Sequence, residues 1–87
     1  MHRLETLMPL YFFDVQDRDA FIEDDIGFEC ANREAVRNTA LEALPDMARG
    51  LDPEGRQHTI TVTARDEAGR YVFRASLTME AGWLEES

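Results

Sequence analysis

An α+β fold, one small antiparallel sheet with a single helix packed on one face, is predicted by three features of this sequence. Two segments, T-I-T-V-T-A-R-D and Y-V-F-R-A-S-L-T-M-E, alternate apolar and polar residues as half-buried antiparallel strands do. Residues Asn32 to Arg49 repeat apolar side chains at the spacing of one helix face. An aromatic run near the start, M-P-L-Y-F-F-D-V, has the composition of a strand. The element order is β-β-(β)-α-β-β, a sheet of four or five short strands. A chain of 87 residues forms one domain, and at this size folding buries only about 60–65% of the surface the unfolded chain exposes, so a dimer would add stability.

Taken in order, residues 1–7 are expected to be an extension, 8–84 the domain and 85–87 a tail. The first strand is expected from Pro9 to Val15, with Pro9 at the start where a missing N–H does least harm. Its alternation puts Tyr11, Phe13 and Val15 on one face and Leu10 and Phe12 on the other. A short second strand, A-F-I-E-D, follows the loop Gln16 to Asp19. The helix has Asn32 as N-cap, Glu34 in its first turn and Gly50 as its stop. Its apolar stripe is Val36, Ala40, Ala43, Leu44 and Met47. Pro45 lies inside; because the stripe runs on through Met47 and Leu51, a kink is expected rather than a break. In the two later strands Ile60, Val62 and Ala64, then Tyr71, Phe73, Ala75, Leu77 and Met79, face inward.

The stretch Asp14 to Gly27 holds Asp14, Asp17, Asp19, Glu23, Asp24 and Asp25, and turn chemistry accounts for its pattern. Asp24 to Gly27, Asp52 to Gly55 and Asp66 to Gly69 all read D-x-x-G. A type I turn favours Asp first, where its carboxylate accepts backbone N–H bonds, and Gly fourth, where the chain turns left-handed into a bulged hairpin. Asp24, Gly27, Asp52, Gly55, Asp66 and Gly69 are therefore structural on this reading, and Asp24→Asn is nearly silent. An EF-hand loop begun at Asp17 fails, since its fifth and sixth positions are Phe21 and Ile22. The alternative reading is a carboxylate-dependent enzyme, with Asp14 facing Glu23 across the first hairpin, or divalent-metal binding by Asp14, Asp17, Asp19, Glu23 and Asp25. His2 and His58 with the single Cys30 cannot make a zinc site of ordinary spacing, and Cys30 is read as a small packing residue. No catalytic residue and no cofactor is assigned.

The formal charge of −9 would repel a phosphate backbone, which disfavours nucleic acid as a partner. All nine basic residues are arginine. On the helix Arg33, Arg37 and Arg49 are interleaved with Glu34, Glu42 and Asp46, the mixed pattern of a solvated face. The apolar run L-M-P-L-Y-F-F is too short for a membrane span or a signal-peptide core, and a cytoplasmic chain is expected.

The opening M-P-L-Y-F-F-D-V, the D-x-x-G after it, the helix ending L-P-D-M-A-R and the hairpin V-T-A-R-D-E-A-G-R together resemble a domain-of-unknown-function family of short rhizobial and α-proteobacterial proteins. That resemblance runs from Met8 to Met79 and implies no activity and no catalytic residues. The element order is also similar to the antitoxin domain of HicB-type toxin–antitoxin systems, at the level of fold alone. The expectation is a small non-enzymatic protein-interaction or regulatory module acting through its sheet, with an unidentified protein or a second copy as partner. The surface expected to carry the contact is Leu10, Phe12, Thr61, Thr63, Val72 and Arg74, with Phe12 near the centre of a homodimer on the outer sheet face or an edge strand.

Overall fold

A computed structural model describes residues 8–51 and 57–85. The expected Asp52 to Gly55 turn and the 1–7 extension lie outside these residues. The elements are β1 (Leu10–Asp17), β2 (Ala20–Ile22), β3 (Phe28–Glu29), α1 (Arg33–Ala48), β4 (Gln57–Arg65) and β5 (Tyr71–Glu80). All pairings are antiparallel, in the order β2-β1-β4-β5, with β3 also on β1. The predicted α+β arrangement holds, and its optional third strand is present.

Alternation decides which side of each strand is buried. Phe13 pairs with Ala64 and Ala64 with Phe73; Val15 pairs with Val62 and Val62 with Ala75. This face meets the helix, where Ala40, Leu44, Ile60 and Val62 form one buried cluster and Cys30, Val36 and Ala64 another. Cys30 is thus a packing residue, as expected. The helix lies over β4 and β5, and β1 reaches it through Phe13 and Val15.

Asn32 caps the helix as predicted, its side chain accepting the Ala35 N–H at 2.9 Å. The helix passes through Pro45 to Ala48 as one element, and Met47 and Leu51 carry the stripe onward against the core. Gly50 does not act as the left-handed stop. Arg49 ends the helix in right-handed geometry, with Arg49 N–H bonded to Asp46 O and Leu51 N–H to Ala48 O, so tightened final turns close it instead.

Three sequence expectations are corrected in detail. The first hairpin turns on Arg18 and Asp19 alone, because β1 continues to Asp17, which pairs with Ala20. Arg18 takes the positive φ of 58° that such a tight turn needs. The second strand stops at Ile22, leaving Glu23 and Asp24 outside it. Tyr71 faces outward rather than inward: it pairs with Arg65, whereas Phe73 pairs with Ala64, and this bulge leaves Val72 between them and reverses the alternation. Tyr71 is accordingly 66% exposed.

The hairpin between β4 and β5 has the predicted turn. Asp66 Oδ1 accepts the N–H groups of Ala68 and Arg70, Asp66 O accepts Gly69 N–H, and Gly69 has φ 87°. The Arg70 backbone bond, with the Arg70 side chain, holds the Asp66 carboxyl below its ordinary range despite opposing desolvation.

Candidate functional site

The acidic stretch sits where a β-ladder is interrupted. β2 and β3 lie on the same edge of β1, yet Val15 pairs with Ile22 and Tyr11 with Phe28. Three residues of β1 therefore face five of the other arm, Glu23 to Gly27, and the surplus must bow out. Phe13 N–H would then lack a carbonyl partner. Asp24 supplies one from its side chain, Oδ2 accepting Phe13 N–H at 3.0 Å. Its other oxygen, Oδ1, accepts Ile26 N–H at 3.0 Å and Gly27 N–H at 3.1 Å. Desolvation pushes this carboxyl upward, but the three N–H bonds and the nearby Arg65 outweigh it and keep Asp24 below the ordinary aspartate value.

Asp14 anchors the arm from beneath. It is 2% exposed, and a buried charge needs a partner. Arg65, across the ladder, grips it with Nε on Oδ2 at 2.8 Å and Nη2 on Oδ1 at 3.1 Å. Asp14 Oδ1 also accepts Asp24 N–H at 2.9 Å, and Arg65 Nη2 donates to Asp24 O at 2.9 Å. Bonding to Asp14 holds the guanidinium above its ordinary value. Both oxygens of Asp14 are thus committed inside the fold.

The proposed acid/base and metal residues are dispersed. Asp14 and Glu23 do approach one another, but with the Arg65 guanidinium between them, 3.3 Å from Glu23 Oε2; a carboxylate pair sharing one proton has no cation at its centre. Asp17 lies on the helix side of β1 and meets His58 Nε2 at 2.5 Å. Asp19 is exposed in the first turn and Asp25 in the arm. Among the described residues no three His, Cys, Asp or Glu side chains are grouped to hold a metal ion.

The expected partner surface is only partly assembled. Phe12 lies under its own Arg65, with the guanidinium 4.9 Å from the ring centroid. The Gly27 turn closes over it and Leu10: a Cβ at position 27 would come within 3.1 Å of Phe12 Cε2 and 3.0 Å of Leu10 Cγ. The chain's own arm therefore covers the centre assigned to a homodimer. Val72, displaced by the bulge, lines a hollow with Tyr11, Arg33 and Val36 on the helix side. Thr63 and Arg74 do share a shallow hollow with Phe21 and Tyr71, and Thr61 bonds Ser76 on that outer face at 2.8 Å.

Sequence reasoning missed Arg65. Its signal was present in register: an outward arginine on β4 falls opposite the outward Phe12 and beside Asp14. Also missed was an apolar hollow on the helix side, lined by Phe13, Ile22, Ile26, Phe28, Ala43 and Met47 among others. The isoleucine inside the turn D-D-I-G was its one sequence trace.

Fold and site define a small α+β domain whose acidic arm is a structural clasp. The chain belongs to the family described as Domain of unknown function (DUF6894), whose model matches residues 10–78. Comparison with curated proteins and with solved structures finds no match.

Proposed function

We propose that this chain is a non-enzymatic protein-interaction module working through its sheet, with a second copy as its partner along β5. One observation carries the proposal: β5 is the terminal strand, ten residues long, and among the described residues no strand pairs with its outer edge. Such an edge offers a row of main-chain donors and acceptors. Folded chains blunt exposed edges with lysine, proline or repeated charge, and β5 holds no lysine or proline, one arginine and one glutamate.

A two-fold axis at Leu77 makes this edge self-complementary. Antiparallel pairing about that axis sets Arg74 opposite the partner's Glu80, Ala75 opposite the partner's Met79 and Ser76 opposite the partner's Thr78, each pair on one face of the joined sheet. Leu77 would meet its own copy. It is 37% exposed, while its neighbour across the ladder, Ile60, is 2% exposed, so the edge position alone leaves it uncovered.

Light scattering at micromolar concentration tests this directly. The wild type is expected at twice the monomer mass, and Leu77→Arg, which sets like charges on the axis, at the monomer mass with its circular dichroism unchanged. A wild-type monomer would sink the proposal.

A further inference from the structure

We infer that the hollow between α1 and the β2–β3 arm docks a partner segment whose apolar side chains are flanked by lysine or arginine. This surface is separate from the β5 edge. The helix lies over β4 and β5 and meets β1 at Phe13 and Val15, so the inner face of the arm beyond β1 extends past it, with Ile22, Ile26 and Phe28 exposed. Phe13 forms the floor, with Phe28 edge-on to it at 5.7 Å. Ile22 and Ile26 rise on the arm side, Ala43 and Met47 on the helix side, around about 400 Å³ of space. Ile26 is 81% exposed, Ile22 59% and Phe28 56%, a concentration of apolar surface that a solvated face does not require.

Charge selects the occupant. Asp25, which is exposed, stands on the arm bank, with Glu23 beside it paired to Arg65. On the opposite bank Glu42 and Asp46, both exposed, precede Ala43 and Met47 by one residue each, which places them on the outer flank of that helical stripe. Arg49 pairs with Asp46, and Arg65 pairs with Glu23 as well as with Asp14, so the acidic character of the two banks rests chiefly on Asp25 and Glu42. An apolar floor between two acidic banks fits a segment with apolar anchors and basic flanks. A second copy, carrying its own formal charge of −9, fits these banks poorly.

The test is selection of a random peptide library on the immobilised full chain, followed by titration of an enriched peptide into isotopically labelled protein. The enriched sequences are expected to combine large apolar residues with Lys or Arg. The amide signals of Ile22, Ile26, Phe28, Ala43 and Met47 should move, and affinity should fall at least tenfold in Ile26→Ser and, independently, in Ile22→Ser, each checked for an unchanged melting temperature. Raising salt should weaken binding. Enrichment of acidic or uncharged sequences, equal recovery on the Ile22→Ser/Ile26→Ser double variant, or signal changes confined to β5 would overturn the inference. So would conversion of a wild-type dimer to a monomer by Ile26→Ser, which would put a second copy in the hollow.

Discussion

Asp24 shows how much one carboxylate can do when each oxygen has a different task. Oδ2 stands in for a missing strand carbonyl at Phe13, and Oδ1 closes the turn to Ile26 and Gly27. The sequence pattern D-x-x-G accounts for the second task alone, which is why asparagine looked harmless there. An amide has one acceptor oxygen, so Asp24→Asn sets an NH₂ group against either Phe13 N–H or the two turn N–H groups. A loss of about 1–3 kcal/mol is expected, as for a part-buried donor left without an acceptor, and urea unfolding of the two proteins measures it. Stability equal to the wild type would mean that the ladder gap is bridged some other way.

At the level of the elements, two glycines at the same place in the same motif separate sharply. Gly27 and Gly69 have φ of 86° and 87°, yet a Cβ at Gly69 meets nothing within 4 Å while one at Gly27 meets Leu10, Phe12 and the Tyr11 carbonyl. Gly69→Ala should cost about 1 kcal/mol from backbone strain alone. Gly27→Ala should cost at least about twice that, because the arm must lift from β1 as well. Equal melting temperatures for the two variants would refute this packing of the arm. Gly50 is the converse case: it has no positive φ and open space around it. Gly50→Ala is expected to leave the domain as stable or raise stability by about 0.4–1 kcal/mol through the unfolded chain, whereas the left-handed helix stop read from the sequence would make the same change destabilising. A thermal melt decides between them.

For the whole molecule, pH couples the two Asp-anchored turns to global stability. Asp24 and Asp66 both titrate below their ordinary value of 3.8 when folded, so the unfolded chain takes up protons first as pH falls. Their contribution is complete above that value and is lost as pH drops through the lower, folded values. Loss of self-repulsion near the isoelectric point, at about 4.5, acts in the opposite direction. Comparison with a variant isolates the turn contribution: the urea midpoint of the wild type should fall more steeply below pH 3.8 than that of Asp24→Ala. Parallel curves would show that the carboxylate of Asp24 is no better bonded in the folded state than in the unfolded one.

Local periodicity was enough to read the fold class, the capped helix, the β4–β5 hairpin and the inward set Ile60, Val62 and Ala64, because strand alternation and helical spacing are written residue by residue. The reversal at Tyr71 was not legible, since a bulge is an offset between two strands and neither strand records it alone. The same holds for the clasp. Asp14, Asp24 and Arg65 lie up to 51 residues apart in the chain, and only the antiparallel register of β1 on β4 sets the guanidinium over Phe12 and against both aspartates. That register turned an acidic run resembling a site into a fastening for the arm. Open apolar surface remains beside the helix as well as around Phe21 and Tyr71 on the outer face, because a single helix centred over β4 and β5 is too narrow to cover the arm as well.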